Sequence, residues 1–182
     1  MRCVKFLIVL VLILPATGCD RIYAVLHKPG GEERQILGAF EFNEYNAKVE
    51  EVQKILKSFG YNIGHPDGKF GASTREAVAK FQEDEGLKVT RFVDKETWAG
   101  MQAVIQSPLF KKGVLDGRAV QKALLKAGFG SGKIDGQLGA RSREAIKGFQ
   151  SSEGLEADGQ IGLDTIRALL KYVPVPASKK EM

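Results

Sequence analysis

The chain has 182 residues, enough for one or two small domains, and its 43% hydrophobic and 27% charged content is that of a soluble globular protein. Its net charge is +5, and the basic residues are interspersed, with no block beyond "SKK" near the C-terminus. That pattern lacks the concentrated basic block usual in nucleic-acid-binding proteins, and leaves room for a weak attraction to an acidic polymer or anionic membrane surface.

The N-terminus, "MRCVKFLIVLVLILPATGCD", has a basic start (Arg2, Lys5), an apolar run from Phe6 to Leu14, then Pro and small residues. The run is far shorter than the ~20 residues of a membrane-spanning helix. It has the size of a secretory signal. Residues 1–18 carry those two positive charges and no acid, so +5 less 2 leaves +3 for the remainder. The end, "LPATGC", resembles a bacterial lipoprotein signal, which implies cleavage before Cys19 and lipidation of that residue. Ala16 stands where such signals more usually carry Leu. Ordinary cleavage after Ala16-Thr17-Gly18 also fits the small-x-small rule and stays open. Cys3 would be discarded with the signal, leaving Cys19 without a disulfide partner in the chain. Asp20 resembles an inner-membrane retention signal, with Arg21 beside it.

Residues 19–46 are expected to form a tether. "HKPGGEER" is turn-rich, and Phe40 and Phe42 alternate with other residues as in a short extended segment packing on the first module. A structureless linker is the alternative; a flexible coil of this length would average ~30 Å end to end.

Beyond the tether the chain repeats itself. Shifted by 68 positions, Val52-Gln53-Lys54 meets Val120-Gln121-Lys122, Asp67-Gly68 meets Asp135-Gly136, and Phe81-Gln82 meets Phe149-Gln150. The sequence predicts an all-α fold of two tandem three-helix modules, at 47–102 and 117–172. A linker at 103–116 joins them and a flexible tail at 173–182 ends the chain. In each copy the first helix starts after an N-cap, Asn46 or Asp116, and stops at Gly60 or Gly128. Hydroxyls near Ser73-Thr74 and Arg141-Ser142 are expected to cap the second helix, whose buried stripes are Ala77, Val78, Phe81 and Ala145, Ile146, Phe149. The third helix is expected from about Lys95 to Met101, and from an Asp164 N-cap to Lys171. Gln82 and Gln150, beside core phenylalanines, are expected to be buried amides bonded to loop backbone.

The phrase carried by Asp67, Gly68, Gly71, Thr74, Ala77, Val78, Phe81, Gln82, Gly86 and Leu87 returns in copy two, which continues with Asp158, Gly159, Gly162, Thr165 and Leu169. It resembles the peptidoglycan-binding domain found beside cell-wall hydrolases and transpeptidases. Copy one departs from it, with Thr90-Arg91 and Asp94 in place of Asp-Gly and Gly. The resemblance implies a peptidoglycan partner. Candidate contacts are the turns Asp67-Gly68, Asp135-Gly136 and Asp158-Gly159, whose N–H groups suit stem-peptide carboxylates, and Arg75 and Arg143, which suit the same carboxylates. The structural reading of both arginines is a surface Arg–Glu pair. Trp98 fits a core cap better than a sugar platform.

No catalytic set emerges. His27 and His65 are the only histidines, and no G-x-S-x-G or S-x-x-K is present. The expected protein is therefore an envelope lipoprotein, held to a membrane through acylated Cys19, that binds peptidoglycan without catalysis, cofactor, metal or nucleic acid. An adaptor that docks an envelope protein partner is the alternative.

Overall fold

The computed structural model describes residues 30–40, 43–130 and 132–173. The signal segment, Cys19, Phe42 and the tail beyond residue 173 lie outside the described residues. Among those described, no helix is long and apolar enough to cross a membrane. The elements run α1 (Gly31–Leu37), α2 (Ala47–Ser58), α3 (Ala72–Asp84), α4 (Lys95–Ile105), β1 (Phe110–Lys111), β2 (Val114–Leu115), α5 (Gly117–Lys126), α6 (Ala140–Ser152) and α7 (Leu163–Leu170). The fold is all-α apart from the two-residue hairpin, in which Phe110 pairs with Leu115 and Lys111 with Val114.

Local sequence explains several helix ends. The Asn46 side chain accepts from Lys48 N–H and Val49 N–H at the start of α2, and Asp116 does the same for Arg118 N–H and Ala119 N–H at α5. Gly60 and Gly128, both at φ 89°, follow the last turns of these helices.

Several boundaries differ from the sequence expectation. Helices α3 and α6 begin slightly earlier than the hydroxyls suggested, after Gly71 and Gly139, with no side-chain cap. Thr74 and Ser142 are instead inside the helix and buried, each accepting from a glutamine amide. Asp164 is not the cap of α7; Gly162 is, and Asp164 lies in the first turn, paired with Arg167 at 3.3 Å. Helix α4 runs on to Ile105, beyond the expected Met101.

Both connecting segments contribute to the folded core. Ahead of the Phe40 stretch, Gly31–Leu37 of the segment before module one form a helix, α1, packed on α2 and α4. Its Glu33 and Leu37 are buried, and Phe40 lies 5.5 Å from Phe70. The segment between the copies is part of the core: Leu109 is fully buried and Phe110 meets the Phe59 ring edge-on at 6.0 Å. One apolar cluster therefore runs from Leu37 to Leu169, through both copies. Fully burying side chains of this size stabilises by ~1.5–3 kcal/mol each, so the two modules share a core and hold one another.

Candidate binding site

Four glutamines organise the loops that carry the candidate residues. In α2, Gln53 Nε2 donates to Asp67 Oδ1, Lys69 O and Thr74 Oγ1, each at 3.0 Å. Its Oε1 accepts from Asp67 N–H at 2.9 Å and Gly68 N–H at 2.8 Å. In α5, Gln121 repeats this with Asp135, Gln137, Ser142 and Gly136. In α6, Gln150 clamps the second turn of its module, donating to Asp158 Oδ1, Gln160 O and Thr165 Oγ1 and accepting from Gly159 N–H. In α3, Gln82 does so with Thr90, Phe92 and Thr97, and accepts from Thr90 and Arg91 N–H. A buried amide cannot be left without partners, and each clamp supplies them from one turn and the helix beside it.

The departure in copy one keeps the same geometry. Thr90 Oγ1 takes the place of the aspartate oxygen, and Arg91 adopts the left-handed φ of 62° that glycine holds elsewhere. Thr90 also donates to Asp94 Oδ2 at 2.9 Å, and Asp94 caps α4 through Thr97 N–H. An aspartate at position 90 would face that carboxylate. Copy two has Asp158 opposite Gly162 instead.

These clamps change the reading of the turns. The N–H groups of Gly68, Gly136 and Gly159 are consumed by glutamine oxygens, and those of Lys69, Gln137 and Gln160 by Asp67, Asp135 and Asp158. The glycines are also covered: a Cβ at Gly68 would lie 2.5 Å from the Tyr45 ring, and one at Gly136 or Gly159 would meet Arg118 at 3.0 Å or Lys147 at 3.1 Å. The Gln121 amide, with Gln137 N–H, holds the Asp135 carboxyl below the usual carboxylate range. Burial pushes Asp67 up, but the bonds from Lys69 N–H and Gln53 outweigh it and hold Asp67 low as well. The Asp67 and Asp158 turns line separate grooves. One of about 420 Å³ at the start of α3 is lined by His65, Asp67, Lys69 and Ser73. Another of about 200 Å³ lies between the modules, lined by Tyr61, Asp84, Glu156 and Asp158.

The two arginines, equivalent in sequence, are not equivalent in space. Arg75 is 1% exposed and faces Glu33 of α1, itself sealed from solvent, at 3.5 Å. Its guanidinium lies 4.4 Å from the Phe70 ring and 5.3 Å from Phe92, and Nη1 donates to Arg91 O. Glu33 also accepts from Val93 N–H at 3.2 Å. Burial pushes the Glu33 carboxyl up, and Arg75 only partly offsets this. Arg75 is thus the internal partner of a carboxylate from the preceding segment, neither solvent-facing nor a surface pair. Arg143 is exposed. Trp98 is half-buried, with Lys48 Nζ 4.3 Å above its ring.

Sequence reasoning missed Glu33, Gln53 and Gln121. The glutamines left a signal, since both recur within otherwise apolar helix faces. Glu33 left none, because its partner is 42 residues away in the chain.

Comparison with known proteins matches residues 45–101 and 116–169 to the family described as "Putative peptidoglycan binding domain". An N-acetylmuramoyl-L-alanine amidase, CwlM, of Mycobacterium tuberculosis is 30% identical over 154 residues, covering 72% of this chain and 37% of the amidase. A second, CwlL of Bacillus licheniformis, is 30% identical over 163 residues, 77% of this chain and 42% of the amidase. The localization factor PodJL of Caulobacter vibrioides is 40% identical over 52 residues, 29% of this chain and 5% of that protein. The chain thus spans about two fifths of the amidases' length. No solved structure matches it significantly.

Proposed function

The chain belongs to the peptidoglycan-binding domain family, in two copies, and on that premise we propose that it is a membrane-anchored envelope lipoprotein that holds peptidoglycan without cleaving it. The observation that carries the wall-binding reading is the double family match over a folded unit in which both copies retain their clamped turns, and the anchor reading rests on the "LPATGC" signal before Cys19. The non-catalytic reading is supported by the chemistry of the turn acids. Asp67, Asp135 and Asp158 each spend Oδ1 on a glutamine amide and a backbone N–H. A carboxylate so occupied is a poor general acid or nucleophile. The activity named for the amidase relatives belongs to proteins more than twice as long as the shared region.

Acylation of Cys19 supplies the anchor, at ~0.8 kcal/mol per buried methylene. Helix α1 begins at Gly31. Residues 20–30 then link anchor to fold, with a reach of at most ~35–40 Å. The modules are therefore held closer to the membrane than a tether running to residue 46 at full stretch would hold them. Two modules on one anchored chain gain avidity when both meet the mesh.

Sedimentation of the full chain with purified sacculi tests the reading: the protein is expected in the pellet at modest salt, and its absence there overturns wall binding. Palmitate labelling that persists in a Cys19→Ser protein overturns lipidation, and clearing of a peptidoglycan zymogram overturns the non-catalytic assignment. The match to a localization factor favours one second reading, an adaptor docking an envelope protein. Crosslinking that recovers one protein partner, with no sacculus binding, would establish it.

A further inference from the structure

The duplication lets one copy serve as a template for the other. On copy one, a carboxylate is bound: Glu33 of α1 accepts from Arg75 Nη1 and from Val93 N–H. At the shift of 68, Arg75 corresponds to Arg143 and Val93 to Ile161. Among the described residues, Arg143 makes no ion pair and Ile161 N–H has no hydrogen-bond acceptor. The same two donors are thus present on copy two without the carboxylate.

The surrounding residues differ as an open site requires. On copy one the next residue along the helix face, Ala79, is buried. Its counterpart is Lys147, whose chain lies over Gly159 and whose amine is 3.4 Å from the exposed Glu144. Copy two therefore presents two cations where copy one presents one beside an alanine. The rings of Phe70 and Phe92, which sandwich Arg75, are replaced by Leu138 and Gln160. Arg143 consequently remains in water, and a ligand there is held weakly and exchangeably.

Resting on the peptidoglycan reading, we propose that Arg143 and the Ile161 N–H form a receptor for a stem-peptide carboxylate, and that Glu33 of this chain fills and closes the equivalent place on copy one. Copy one is then the element that fastens the leading segment, and copy two is the one that recognises the wall peptide. Lys147 adds long-range attraction, screened by salt within about 10 Å at 0.1 M.

The test is a titration of the full chain with muropeptides, the disaccharide-peptide fragments released from purified sacculi by a muramidase, followed by amide NMR and calorimetry. The Ile161 amide is expected to shift on binding and the Val93 amide to stay in place. Arg143→Gln, an exposed change that leaves the core untouched, is expected to weaken binding at least about tenfold, in keeping with loss of a charge-assisted hydrogen bond. Methyl-esterified muropeptides are expected to lose a similar factor. Wild-type affinity in Arg143→Gln, or a Val93 amide that follows the titration, overturns the proposal while sacculus sedimentation keeps the wider reading intact. A wild-type protein that neither binds muropeptides nor sediments overturns both.

Discussion

Gly60, just past the end of α2, packs against Gly162, the residue before α7: a Cβ on Gly60 would stand 3.1 Å from the Gly162 Cα. The two modules meet backbone to backbone here, and Arg167 fastens the same seam through Glu85 at 2.6 Å and the Asp84 carbonyl at 3.1 Å. Gly128, the copy-two counterpart, has the same φ of 89° and nothing within 4 Å.

Gly60→Ala and Gly128→Ala therefore separate two effects. Both force a side chain into the left-handed region, at ~1–2 kcal/mol. Gly60→Ala also overpacks the seam and is expected to cost a further ~1–3 kcal/mol. Urea unfolding of the two proteins gives the difference; equal losses would mean the seam yields freely.

The Gln53 clamp ties α2 to the first turn of its module. Gln53→Ala leaves the Asp67 and Gly68 N–H groups without their acceptor and is expected to destabilise by about 2–4 kcal/mol. Chemical denaturation measures it, with Lys54→Ala on the exposed side of the same helix as the near-neutral control.

Thr90 and Asp94 are matched to one another. Thr90→Asp alone sets two carboxylates at hydrogen-bond distance and is expected to lower stability by ~1–2 kcal/mol. Adding Asp94→Gly recreates the Asp158–Gly162 combination and is expected to recover part of the loss. A double-mutant cycle reads the coupling, which should exceed ~0.5 kcal/mol.

Docking of α1 depends on the buried pair. Glu33→Ala leaves the Arg75 guanidinium in the interior without its carboxylate, a change that typically costs ~3–5 kcal/mol unless α1 comes away. The Val93 amide, which donates to Glu33, is expected to exchange with solvent faster in that protein. Arg143→Ala at the exposed equivalent is expected to stay within ~0.5 kcal/mol of the parent. Burial raises the Glu33 carboxyl above its ordinary 4.5, so the folded chain takes up this proton before the unfolded one. Its contribution is fully present below that ordinary value and is lost as pH rises through the folded value.

The turn aspartates act in the opposite sense. Asp135 is held low chiefly by the Gln121 amide, and Asp67 by bonds that outweigh its burial. The stability they confer is complete above the unfolded value of ~3.9 and is lost as pH falls through their lower folded values. Urea midpoints are expected to drop below about pH 4, and to drop less in Asp135→Asn, which keeps the acceptor oxygen without the charge.

The duplication, the helices of each copy, their stops at Gly60 and Gly128, and the buried role of Gln82 and Gln150 were all legible in the amino-acid order. Those features are local: apolar periodicity, a capping side chain and a glycine conformation act within a few residues. The helix starts were less legible, because Thr74 and Ser142 carry cap-like hydroxyls that the fold turns inward to meet glutamines 21 residues away. Tertiary packing alone brings the linker into the core and docks α1 on copy one. It also gives Arg75 and Arg143, identical in the repeat, different surroundings. Glu33 reaches its partners across 42 and 60 residues of chain. A burial partner at that separation is set by packing geometry, which no local pattern encodes.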